Sequence, residues 1–182
     1  MKTLIIVLFC IIVISLVLLI YYMYLYNKIN ESLIRIDEAE VRIDNNLRDK
    51  YDLLNRSVSL IKSNSKVDDK ILAEIVKLRS RKVSNFTLDR ILADSYNEFV
   101  SILDSNKELN KSDEITKIKK QLILIDNELI TLRNYYNGNI SNYNKMIKKF
   151  PTLIVAKIKK YKTRLFYDLK DMSDDDYEDF KL

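Results

Sequence analysis

The chain has 182 residues, with one Gly, one Pro, one Cys, no His and a formal net charge of +5. Gly and Pro serve tight turns and strand connections, so their scarcity excludes a turn-rich β fold and predicts an all-α protein of long helices. The same inventory excludes nucleophile–histidine pairs, His-based metal sites, an internal disulfide and a glycine-rich phosphate loop.

Residues 3–26, TLIIVLFCIIVISLVLLIYYMYLY, carry no charge. About 24 helical residues span roughly 36 Å, more than the ~30 Å hydrocarbon core of a bilayer. The run is too long for a signal-peptide core and ends in Tyr21, Tyr22, Tyr24 and Tyr26 rather than in small residues, so it reads as a retained single-pass anchor with an aromatic belt. Cys10 follows Phe9, which does not fit a lipoprotein cleavage site, and it serves as a small hydrophobe within the span. Lys2 precedes the span while Lys28, Arg35 and Arg42 follow it, a bias that favours a cytoplasmic body.

Beyond Tyr26, apolar residues step by threes and fours through Ile29, Leu33, Ile36, Ala39, Ile43, Leu47, Tyr51, Leu54, Val58 and Ile61. They form one face of a helix that continues from the anchor. SNSKVDD interrupts the pattern. Ile71, Ile75 and Leu78 predict a short second helix, and Thr87 is placed to cap a third that buries Leu88, Ile91, Leu92, Phe99 and Leu103. DSNKELNKSDE is turn-like, with Asn110 or Ser112 placed to cap the next helix.

The last long helix carries a heptad seam of Ile115, Ile118, Leu122, Ile125, Leu129, Leu132 and Tyr136. Two consecutive steps of four, through Ile140 and back to a three at Tyr143, form a stutter that contains Gly138. Ile147 and Phe150 resume the seam, and Pro151 ends it. Tyr136 and Tyr143 lie on the seam, with Asn137 and Asn144 one step round at its border, where an amide can bond a neighbouring helix instead of its own backbone. From Lys145 to Arg164 every charge is positive; from Asp168 onward the chain is mostly acidic.

RIDEAEVRIDNNLRDKYDLL, residues 35–54, resembles the signature that opens the soluble part of LemA family proteins, through Asp37-Glu38-Ala39, Ile43-Asp44, Leu47-Arg48 and Asp52-Leu53. A second signature, Arg133, Tyr136-Asn137, Ile140, Tyr143-Asn144, Ile147 and Phe150-Pro151, is similar to the family's Arg-x-x-Tyr-Asn, Tyr-Asn, Phe-Pro run. The resemblance covers about residues 1 to 160. Asn55-Arg56 stands where relatives carry Pro-Asn, so the first helix is expected to run straight there. The resemblance implies a helical bundle behind one membrane helix, with a short amino terminus outside and the body in the cytoplasm, and implies no reaction.

The predicted architecture is a transmembrane anchor at 1–26, an antiparallel bundle of two long and two shorter helices at 27–150, a basic amphipathic segment at 151–167 and an acidic tail at 168–182, expected to be disordered. If the long helices are antiparallel neighbours, Asn27 lies level with Phe150 and Ile61 with about Ile115. Asp44 then faces Arg133, and Asp37 comes within reach of Asn137, Tyr143 or Asn144. Asp37, Asp44, Arg133, Tyr136, Asn137, Tyr143 and Asn144 are thus expected to form one polar ladder that fixes helix register.

Lys148, Lys149, Lys157, Lys159 and Lys160 are expected to meet anionic lipid, since the final helix returns toward the membrane. No catalytic, cofactor or metal residues are predicted. The expected function is a non-catalytic membrane scaffold that binds another membrane or envelope protein. A lipid-contacting structural protein and an enzyme built on carboxylates and tyrosines are the alternatives. Nucleic acid is not an expected partner, given the anchor and the acidic tail; oligomeric state has no signature in the sequence.

Overall fold

The computed structural model describes residues 2–64, 75 and 85–167. They form α1 (Lys2–Asn64), α2 (Asn85–Ser105), α3 (Lys107–Asn110), α4 (Asp113–Lys148) and α5 (Thr152–Lys159), with no strand among the described residues. The all-α expectation holds. As the replacement of Pro-Asn by Asn55-Arg56 implies, α1 runs unbroken past that point.

The chain divides into two compact units, Met1–Glu38 with Asn137–Leu165, and Ala39–Tyr136 with Phe166–Leu182. In the first unit Ile29 and Ile36 of α1, Ile140, Tyr143 and Ile147 of α4 and Val155 of α5 are buried. In the second, Ile43, Leu47 and Leu54 of α1 are buried, as are Leu92 and Phe99 of α2 and Leu122 and Leu129 of α4. Each such side chain contributes about 1.5–3 kcal/mol relative to exposure. Together they are the predicted helical faces, which explains why amphipathic period rather than turn chemistry determines this fold.

α1 differs along its length. Leu4 to Ile20 leave every large apolar side chain exposed, whereas beyond Leu25 the apolar stripe is covered. It is the one helix among the described residues that is long and apolar enough to cross a membrane.

Several local expectations are corrected. α2 begins at Asn85, so Thr87 lies inside the helix rather than at its cap. Leu88 and Ile91 are only half-buried, and the stripe takes in Asp89 and Ser95 instead. Ile75 is helical and fully buried, while Ile71 and Leu78 lie outside the described residues, as does the acidic tail 168–182. Asn106 caps the single turn of α3, its Oδ1 accepting from the Leu109 N–H at 3.3 Å; Ser112 immediately precedes α4 and its carbonyl accepts from Thr116 at 3.0 Å.

Phe150 leaves the seam and is 79% exposed. α4 stops at Lys148, ahead of Pro151, and Phe150 falls in the connecting turn, where helical periodicity no longer sets its direction. The Thr152 hydroxyl donates to the carbonyl of Lys149 at 2.8 Å and also to that of Met146, which adds to the backbone bonds these carbonyls accept from Leu153 and Lys149 and ties the start of α5 to the end of α4. Lys160 closes α5 in the left-handed conformation. Its N–H donates to Lys157 and that of Tyr161 to Ala156, a pairing that turns the chain sharply.

Candidate functional site

Within the unit Ala39–Tyr136 with Phe166–Leu182, α1, α2 and α4 enclose a cleft of about 420 Å³ lined by Lys50, Asp89, Tyr96, Asp126, Arg133 and Tyr167, among others. Lys50 sits on the α1 stripe, three residues after Leu47 and four before Leu54, so helical geometry drives its side chain inward. Only 3% of that side chain is exposed. Its ammonium pairs with Asp126 Oδ1 at 2.5 Å and lies 5.7 Å from the centre of the Tyr96 ring. The pairing with Asp126, and that of Arg56 with Glu114 at 2.6 Å, run in antiparallel order along α1 and α4, the first at the expected level and the second about two turns away from it.

Arg133 does not meet Asp44. Its guanidinium donates to both carboxylate oxygens of Asp89 on α2, at 2.7 and 2.6 Å, and stacks 5.8 Å from the Tyr167 ring centre. Asp44 instead accepts from Arg48 one turn away on α1, at 2.8 Å. The physical cause is simple. Register arithmetic gives the level of two residues along antiparallel helices but not their direction around each axis, and α2 offers Arg133 a closer carboxylate. Arg133 Nε is buried without an acceptor.

Burial pushes the Asp89 carboxyl above the ordinary aspartate value, although Arg133, Lys50 and a hydrogen bond from Tyr167 oppose the shift. Desolvation therefore outweighs the ion pair at this carboxylate. Burial also raises the Tyr96 phenol, with the Asp126 charge adding to it. Tyr167 closes this cluster. Its ring packs edge-on against Tyr136 and Phe86, both at 6.1 Å, and its hydroxyl lies 3.2 Å from the Asn85 carbonyl and 3.3 Å from Asp89. Tyr136 is fully buried, as its seam position predicts.

The other ladder residues belong to the unit Met1–Glu38 with Asn137–Leu165. The Tyr143 hydroxyl donates to the Lys162 carbonyl at 2.9 Å. Asn144 clamps Arg164 from both sides: its Nδ2 donates to the Arg164 carbonyl, and its Oδ1 accepts from the Arg164 N–H, both at 2.9 Å. The Arg164 side chain reaches Asp37 at 3.4 Å. Asp37 and Asn144 thus meet through Arg164 rather than directly, and Asn137 is half-buried at the start of this unit's share of α4. The border amide of the second signature bonds the segment following α5, not another helix. Two further contacts tie α5 and that segment to α1: Tyr161 Oη donates to Asn30 Oδ1 at 2.7 Å, and Lys159 Nζ, at the end of α5, lies 5.1 Å from the Tyr26 ring centre. Lys148, Lys149, Lys157, Lys159 and Lys160 are all exposed.

Sequence periodicity pointed to the seam but passed over Asp89, Lys50 and Tyr167. For the first two the signal was present: each is a charged residue standing where the apolar stripe requires a buried one. For Tyr167, outside any helical repeat, there was none. Among the described residues no cluster of three His, Cys, Asp or Glu side chains could hold a metal ion.

No curated protein sequence matches the chain, and no solved structure does. The LemA family model matches residues 39–178, which takes in the cleft and both Tyr-Asn pairs. With most of its length inside that match, the chain belongs to the LemA family.

Proposed function

We propose that the protein is a non-catalytic, single-pass membrane module whose helical body acts as a cytoplasmic scaffold for another membrane or envelope protein. The observation that carries this reading is the apolar surface of α1. From Leu4 to Ile20 its large side chains are exposed on all sides of the helix, and the same helix then continues as core. Lipid is the solvent that such a surface requires. The internal pairing of Lys50 with Asp126 and of Arg133 with Asp89 supports a structural rather than a catalytic use of the cleft, because each charge already has its counter-charge.

A docking surface is available between α1 and α4 at Leu53, Leu124 and Ile125, where Leu124 is 68% exposed and Asp49 and Asp52 stand at the rim. An apolar floor with an acidic rim fits a basic, apolar segment of the partner. The test uses full-length protein with a photoreactive residue at Leu124. The scaffold reading expects a discrete protein adduct that disappears when Asp49 and Asp52 are replaced by Lys. An adduct insensitive to those charges, or no adduct, refutes it. For the anchor, the protein must stay in membranes after an alkaline wash. With Cys10 replaced by Ser and a single cysteine at exposed Asn55, it must also resist an impermeant thiol reagent until cells are opened.

A further inference from the structure

α5 has two faces. Thr152, Val155 and Ala156 are buried, whereas Phe150 in the preceding turn, Ile154 and Ile158 succeed one another at intervals of four and are 79%, 51% and 60% exposed. Ile154 and Ile158, four apart on α5, lie on one face of the helix, and with Phe150 in the turn before it they stand uncovered among the described residues. Cations surround them: Lys148, Lys149, Lys157 and Lys160 are exposed, and no acidic residue lies between Lys145 and Arg164.

The position of α5 is set by two contacts with α1. Lys159 sits over the Tyr26 ring, and Tyr161 bonds Asn30. Tyr26 is the last apolar residue before Asn27 and Lys28 and belongs to the aromatic belt, the level at which a spanning helix passes from hydrocarbon to headgroups. An apolar stripe flanked by lysines at that depth has the composition of an interfacial helix, which buries its apolar side at the acyl boundary and sets its cations among anionic headgroups.

We propose that α5 and the preceding turn form a second membrane contact, in which Phe150, Ile154 and Ile158 enter the interface of an anionic bilayer and Lys148, Lys149, Lys157 and Lys160 bind its headgroups. This inference rests on the reading of residues 3–26 as a membrane span. The partner is the lipid surface itself, because the contacts to Tyr26 and Asn30 hold the stripe beside the end of that span.

The chain has no tryptophan, so a single one is a unique fluorescent reporter. Ile154→Trp, and Phe150→Trp as a second probe, are made in the full-length protein reconstituted into phosphatidylcholine vesicles with and without phosphatidylglycerol. Tyr24→Trp, within the belt, reports whether the span is inserted. The expected result is blue-shifted emission at positions 154 and 150, quenched by lipids brominated near the headgroup and more strongly when phosphatidylglycerol is present. One lysine at an anionic surface shifts a docking equilibrium by about fivefold. Replacing Lys148, Lys149, Lys157 and Lys160 by Gln should therefore abolish the gain from phosphatidylglycerol. Quenching at position 24 without quenching at 154 and 150 overturns the inference and leaves the span intact, as does a gain that the four substitutions do not change. Absence of quenching at all three positions overturns the span and the inference together.

Discussion

Replacing Arg133 by Leu isolates the cost of a desolvated carboxylate. Asp89 keeps only 11% of its side chain exposed, and Arg133 is the cation that neutralises it at 2.6 Å. Removing one partner of a buried pair costs about 3–5 kcal/mol; because Arg133 itself is 29% exposed, the lower end, about 3 kcal/mol, applies. For a chain of this size that is a fall of roughly 6–12 °C in Tm. The loss must depend on pH, and its sign comes from Asp89. Its carboxyl is raised above the ordinary value of 3.8 by burial, so protonation favours the folded state. The associated stability is fully present below 3.8 and is lost as pH rises through the raised folded value. Without Arg133, which lowers that value, the shift grows. The Arg133→Leu deficit should therefore be larger at about pH 8 than at about pH 4, close to the ordinary carboxylate value, because protonation relieves a carboxylate that has lost its partner. Adding Asp89→Asn should relieve much of it. Thermal unfolding followed by circular dichroism on the full-length protein at both pH values reads the effect. An equal deficit at both pH values, or no relief from Asp89→Asn, would refute the reasoning.

Four other substitutions probe separate parts of the packing. Gly138 lies within α4 with open space where a Cβ would stand, so Gly138→Ala should stabilise by about 0.5–1 kcal/mol; a loss in chemical denaturation would show that the stutter needs glycine. Asp126→Ala leaves buried Lys50 without its ion-pair partner and should cost on the order of 3 kcal/mol, whereas Lys50→Met should stay within about 1 kcal/mol of the parent, since Asp126 can be hydrated; similar losses in urea unfolding would contradict this. Tyr143→Phe removes the bond to Lys162, worth about 0.5–1.5 kcal/mol. Burial raises the Tyr143 phenol, so its contribution is present below the ordinary value of 10.0 and is lost as pH rises through the raised one. The deficit of the Phe variant should accordingly shrink above about pH 10; a constant deficit would exclude the buried phenol.

Much of this fold was legible because long helices declare their buried faces. Ile29, Ile43, Leu54, Ile118, Leu129, Ile140 and Ile147 are buried where the threes and fours place them. The period failed where the helix ended, at Phe150, and weakened at Ile125, which is half-buried. The polar ladder was legible in its members but not in its pairings. Tyr143 and Asn144 do make cross-element bonds, yet to Lys162 and Arg164 in a segment without helical period, whose course no pattern of apolar residues announces. Asp44 was drawn to Arg48 because an i,i+4 partner is always within reach, while a partner on another helix depends on facing direction. Asp89 and Lys50 show the converse. A charged residue on an apolar stripe is a readable signal of a buried pair, though the identity of the partner is not.

The segment after α5 lies against α1 where the apolar run ends, and the second membrane contact depends on that placement. Short bifunctional thiol crosslinking of Asn30→Cys with Tyr161→Cys, in full-length protein with Cys10 replaced by Ser, measures it directly. The hydroxyl of Tyr161 and the side-chain oxygen of Asn30 are 2.7 Å apart, so this pair should crosslink efficiently. A Leu4→Cys control, about 39 Å further along α1, should not react with position 161. Failure of the first pair, or equal reaction of the control, would contradict the arrangement.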